Sequence, residues 1–115
     1  MNYIKELKKI NNDKEGFYIS LLPILNMAYK LILRKNNGKK PFSKEFDASD
    51  VINKIEEVSN QINNLNEDNK VNINKDSLEE ISNKLILATK EIKSESLAND
   101  FVYLSKQITE VLKII

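Results

Sequence analysis

Carboxylates are the first side chains to ask about chemistry, and Glu56–Glu57 and Glu79–Glu80 form two adjacent pairs of them. Neighbouring positions on a helix diverge by about 100° and do not converge on a substrate, so both pairs read as solvated faces. The loop NEDNKVNINKD, Asn66 to Asp76, invites comparison with a calcium loop. It lacks the central Gly and the closing bidentate Glu of an EF-hand, which makes it a solvated linker. His and Cys do not occur in the 115 residues. Ser-His-Asp and Cys-His triads, zinc sites with Cys and His ligands, and di-iron bundles built on Glu-x-x-His are therefore excluded. Two glycines, Gly16 and Gly38, cannot build a phosphate-cradling Gly-rich loop. The expectation is a protein that is not an enzyme and takes no cofactor or metal.

The remaining candidates are contact residues. Lys35, Lys39, Lys40 and Lys44 surround Phe42 in the stretch KNNGKKPFSKEF, whose Asn36, Asn37, Gly38 and Pro41 make the clearest loop in the chain. Such a cluster can meet phosphates, an anionic membrane surface or an acidic protein, or it can simply solubilise an exposed loop. Phe42 and Phe46 can equally staple that loop onto the fold. Nucleic acid is the weakest of these partners, because Arg34 is the sole arginine and arginine makes the bidentate phosphate and guanine contacts. The apolar terminus VLKII adds Ile114 and Ile115, as core or as contact.

Charge is unevenly placed. Residues 1–44 hold ten basic and three acidic groups and residues 45–115 hold eight basic and fourteen acidic, although the net charge is only +1. The halves can attract each other, or the basic half can steer the molecule toward an acidic partner or surface.

The elements that must position these groups are helices. Apolar residues recurring at alternating steps of three and four line one stripe of a 3.6-residue helix. Val51, Ile55, Val58, Ile62 and Leu65 follow that rule, with Asp47 or Ser49 available to cap the start and the polar loop from Asn63 to Asn72 as its end. Leu78, Ile81, Leu85, Ala88 and Ile92 form a second stripe, in which Asp76 and Glu79 resemble a capping box. Leu97, Phe101, Leu104, Ile108, Val111 and Ile115 form a third. The step of five from Ile92 to Leu97 breaks the pattern, which predicts a turn or kink at Lys93–Ser96, with one long bent helix as the alternative.

The first half is more apolar. FYISLLPILNMAYKLIL, from Phe17 to Leu33, puts Leu21, Leu25, Ala28 and Ile32 on one stripe with Leu22, Tyr29 and Leu33 beside it, as in a central helix. Pro23 is harmless in a first turn, so Ser20 is the expected cap. Ile4, Leu7 and Ile10 sketch a short preceding helix that ends near Asn11–Gly16. Only two Gly and two Pro punctuate the chain, too few for a sandwich or barrel. No stretch approaches about 18 consecutive apolar residues, so the chain reads as cytosolic. The expected fold is one all-α domain over residues 1–115, an antiparallel four-helix bundle with a possible short N-terminal helix.

Three segments in this order, ILNMAYKLILRKNNGKKP, DVINKIEEVSNQI and NKVNINKDSLEEISNKLILATKEI, resemble the immunity proteins that protect bacteria from their own pediocin-like bacteriocins, in particular the enterocin A immunity family. The similarity runs from about Phe17 to Lys93 and lies in the order and lengths of the segments. It implies an antiparallel four-helix bundle and a protein partner, a toxin or toxin receptor, met at the inner face of the membrane, with the C-terminal part helping recognition. This chain departs from the family in ending on a regular amphipathic helix where the family has an irregular tail, and no functional residue carries over. Two other classes of binding protein share the composition: a targeting or chaperone-like partner of a secreted effector, and a phage- or plasmid-encoded accessory protein that contacts nucleic acid through the basic loop.

Overall fold

The computed structural model describes residues 14–64 and 73–114, with side chains from Gly16 onward. Four α-helices account for most of them: α1 (Lys14–Asn36), α2 (Ala48–Asn63), α3 (Lys75–Ala88) and α4 (Glu95–Ile114). A 3-10 turn, Thr89–Glu91, follows α3 directly. The described residues contain no strand. The Ile4–Ile10 segment, Leu65 and Ile115 lie outside the described residues.

The helices close into a ring in which α1 packs on α2, α2 on α3, α3 on α4, and α4 back on α1. Neighbours run antiparallel. The start of α3 meets the end of α2 where the Asn74 amide donates to Gln61 Oε1 at 2.9 Å, and further along Lys54 of α2 reaches Glu80 of α3 at 2.7 Å. The end of α1 likewise lies beside the start of α4, where Leu31 and Leu97 line one cleft. This is the antiparallel four-helix bundle that the stripes predict.

Each stripe supplies one wall of a single core. Phe17, Leu21, Leu25, Ala28 and Ile32 are buried from α1, Val51, Ile55, Val58 and Ile62 from α2, Leu78, Ile81, Leu85 and Ala88 from α3, and Phe101, Leu104, Ile108 and Val111 from α4. Burying each of the larger side chains contributes roughly 1.5–3 kcal/mol against the entropy of ordering the chain. Between α3 and α4 the core narrows to a polar cluster. Ser82 Oγ lies 2.8 Å from Ser105 Oγ and 3.0 Å from Thr109 Oγ1, while Ser105 Oγ donates to the Ser82 carbonyl at 3.0 Å. These short side chains let two helix backbones approach closely while every buried hydroxyl keeps a partner.

Several local expectations are corrected. Helix α1 begins at least as early as Lys14, so Ser20 is not its cap. Ser20 is buried and its hydroxyl donates to the Phe17 carbonyl at 2.5 Å. Pro23 stands well inside the helix, where it removes one amide from the ladder. Nor is α1 central: it packs chiefly on α2 and α4, and Ile19 and Met27 stay about half exposed on its outer face. By length and composition Gly16–Asn36 is sufficient to cross a membrane, a property shared by core helices, and its buried stripe faces the bundle.

At the other starts, Asp47 caps α2, its side chain accepting from the Asp50 amide at 3.2 Å, whereas Ser49 lies in the helix. Asp47 takes a left-handed conformation, φ 53°, which short polar side chains tolerate best among residues with a Cβ. For α3 the cap is Asn74, accepting from the Ser77 amide at 3.1 Å, and Asp76 falls in the first turn instead. Between α3 and α4 the chain does break. Ile92 is extended, and Ser94 Oγ accepts from the Leu97 amide at 3.3 Å to start α4. Two helices, not one bent one, carry the second and third stripes.

Candidate functional site

The α1–α2 connection, Asn37–Asp47, crosses the end of the bundle where the α3–α4 turn also lies, and the two are joined. The α1 end closes tightly: Asn37 N–H donates to the Leu33 carbonyl at 3.0 Å and Gly38 N–H to the Lys35 carbonyl at 3.1 Å. A Cβ on Gly38 would stand 3.3 Å from that Lys35 oxygen, so glycine suits this close approach. Beyond it, Phe42 and Phe46 turn inward and stack, ring centroids 4.1 Å apart, with Phe46 fully buried. They are the staple that holds the basic loop down.

Two polar contacts lock the staple. Lys35 Nζ lies 4.8 Å from the centre of the Phe42 ring and donates to the Lys40 carbonyl at 2.8 Å, tying the helix end to the loop. On the opposite side, Ser43 donates its backbone amide to Glu91 Oε1 at 2.7 Å and its hydroxyl to Glu91 Oε2 at 2.8 Å. These two bonds to the charged form, together with the nearby Lys35 ammonium, hold the Glu91 carboxyl below the usual range for glutamate. The loop is thus a positioned surface.

Between the end of α1, this loop and the start of α4 lies a cleft of about 360 Å³. Its apolar lining comes from Leu31, Ile92 and Leu97, each partly buried against the core. Its rim carries Arg34, Lys35, Lys39, Lys40 and Lys93, against one acid, Glu91, whose oxygens are already occupied by Ser43. Arg34, Lys39, Lys40 and Lys93 make no ion pair among the described residues. Ser94, the cap of α4, also lines the cleft, so the positive end of that helix adds to the same field.

Comparisons with protein families, with curated proteins and with solved structures find no match to this chain. Of the contact residues read from the sequence, Lys35, Lys39 and Lys40 come together at the cleft, and Lys44 is exposed on the same loop outside its lining. Phe42 is 7% exposed and gives its ring to the core, not to the surface. Ile114 packs partly buried against the core at the far end of α4, away from the basic loop, and Ile115 lies outside the described residues.

Sequence reasoning missed Arg34, Lys93 and the apolar floor. The signal for the floor was present in the broken step from Ile92 to Leu97. Residues at the ends of two stripes that cannot join are left only partly covered, and here they face outward together.

Proposed function

We propose that this chain is a non-enzymatic binding bundle that acts by protein–protein contact, as an immunity or inhibitor protein of the kind that protects bacteria from pediocin-like bacteriocins. The observation that carries the reading is the preorganised cationic end of the bundle, where Lys35, Phe42, Ser43 and Glu91 hold a basic loop in place beside a partly exposed apolar floor. A surface held in its bound shape loses little ordering entropy on association, which is what a binding module requires. The order of helical segments, apolar helix, basic loop and two further amphipathic helices, supports the same reading, as does the absence of His and Cys. The partner is a toxin or its receptor, met in the cytoplasm at the inner face of the membrane.

Expression in a bacteriocin-sensitive host tests this directly. Survival against at least one member of a panel of pediocin-like toxins is the expected result. Unchanged killing by every member, with the protein present in soluble form, would sink the immunity reading.

A further inference from the structure

We propose that the cleft between the end of α1 and the start of α4 binds an acidic peptide segment of a protein partner, with one aliphatic or aromatic side chain of that segment seated on Leu31, Ile92 and Leu97 and its carboxylates paired with Arg34, Lys39, Lys40 and Lys93. This deepens the reading of the protein as a partner-binding bundle and rests on it.

Charge decides the sign of the ligand. Arg34, Lys39, Lys40 and Lys93, which make no ion pair among the described residues, surround one opening, and the one carboxylate that those residues place in the lining is held by Ser43 at 2.7 and 2.8 Å. Gathering like charges around a partly desolvated floor is unfavourable in the free protein and is relieved when several negative groups arrive together. A ligand with a single carboxylate leaves most of that repulsion in place.

Shape and polarity decide its class. The floor is aliphatic, so a ligand made of phosphates and sugars would cover it with nothing that gains from leaving water. No aromatic ring among the described residues lines the cleft to stack a base. A membrane surface is flat on this scale, whereas the floor lies recessed behind lysines. An extended peptide reaches into a recess with one side chain and keeps its flanking carboxylates at the rim. The volume of about 360 Å³ falls near the lower end of the roughly 300–1,000 Å³ typical of ligand sites, enough for one large side chain and its backbone.

The test uses the full chain and a fluorescein-labelled peptide with two Glu on each side of a central Leu-Phe pair, followed by fluorescence anisotropy at low and at physiological salt. Saturable binding is expected, weakened by about tenfold or more in Lys39→Glu/Lys40→Glu and unchanged in Lys90→Glu, an exposed lysine outside the cleft. Both Lys39 and Lys40 are exposed, so the double variant folds, and circular dichroism checks that it does. A second peptide with Ala-Ala at the centre is expected to bind at least about fivefold more weakly, reporting the apolar floor.

Equal binding of the two peptides, equal binding by Lys90→Glu and the double variant, or no saturable binding at all would each overturn the proposal. So would tighter binding to phosphatidylglycerol vesicles or to single-stranded DNA than to the acidic peptide. The immunity reading fails separately: peptide binding without protection removes it and leaves the cleft standing, while full protection by Lys39→Glu/Lys40→Glu removes the cleft from that function alone.

Discussion

Ser43 and Glu91, 48 positions apart in sequence, are joined by two hydrogen bonds that use both oxygens of one carboxylate, 2.7 Å to the serine amide and 2.8 Å to its hydroxyl. This pair ties the α1–α2 loop to the α3–α4 turn, the two connections at the same end of the bundle. Its strength depends on the Glu91 charge, because hydrogen bonds to an ionised acceptor are stronger than neutral ones.

The pH dependence follows from that charge. Glu91 has its pKa lowered in the folded state by the Ser43 bonds, so the unfolded chain binds its proton first as pH falls. The contribution is fully present above the unfolded value and is lost as pH drops through the lower folded value. Glu91→Gln is expected to lower stability at pH 7 by up to about 1 kcal/mol, discounted for solvent screening, with the difference from wild type vanishing in acid below the glutamate range. Urea unfolding of both proteins from pH 7 down to pH 3 measures it. A difference that stays constant over that range would mean the charge is irrelevant.

Pro23 stands inside α1 and is exposed. Its ring denies the Ile19 carbonyl a helical donor, so Pro23→Ala is expected to stabilise the protein by about 1–2 kcal/mol, the restored bond outweighing the greater freedom given to the unfolded chain. Thermal unfolding at fixed pH reads the sign.

The core and the outer face of α1 should respond differently to truncation. Leu85 and Phe101 are fully buried, and replacing either with Ala is expected to cost roughly 2–5 kcal/mol through lost transfer energy and an unfilled cavity. Met27 is 50% exposed, and Met27→Ala should change stability by less than about 0.5 kcal/mol. Chemical denaturation of the three variants gives the comparison.

Asp47 combines a left-handed backbone, φ 53°, with the cap on α2. Asp47→Asn keeps both and should be close to neutral. Asp47→Ala loses the cap and keeps the strain, for an expected loss of about 1–2 kcal/mol. If the two variants unfold at the same denaturant concentration, the capping role is wrong.

Lys54 of α2 pairs with Asp50 on its own helix and, at 2.7 Å, with Glu80 on α3, and those two carboxylates hold its ammonium protonated well above the usual lysine range. Both acids are substantially exposed, so Lys54→Met should cost less than about 1 kcal/mol, with the loss shrinking further in high salt.

The helices after Asp47 were legible because their evidence is local. Val51 to Ile62, Leu78 to Ala88 and Leu97 to Val111 repeat at three and four, and that spacing alone puts each set on one stripe whatever the stripe later meets. The same local logic put Leu21, Leu25, Ala28 and Ile32 on the buried stripe of α1, and it failed only at that helix's start, where Pro23 suggested a later beginning than Lys14. Capping was read to within two residues for α3, where Asn74 took the role given to Asp76, because several short polar side chains compete at every helix start.

By itself, then, the sequence determined an all-α chain, the core-facing stripes of four helices, a basic loop near Phe42 and a break after Ile92. Only the tertiary structure decided that Phe42 is buried, that Glu91 holds Ser43, and that Arg34 and Lys93, nearly sixty residues apart, stand around one apolar cleft with Lys39 and Lys40. Helix periodicity is set by backbone geometry within a turn or two. The meeting of two loops is set by how four helices pack into a ring, and that depends on side-chain shape across the whole core.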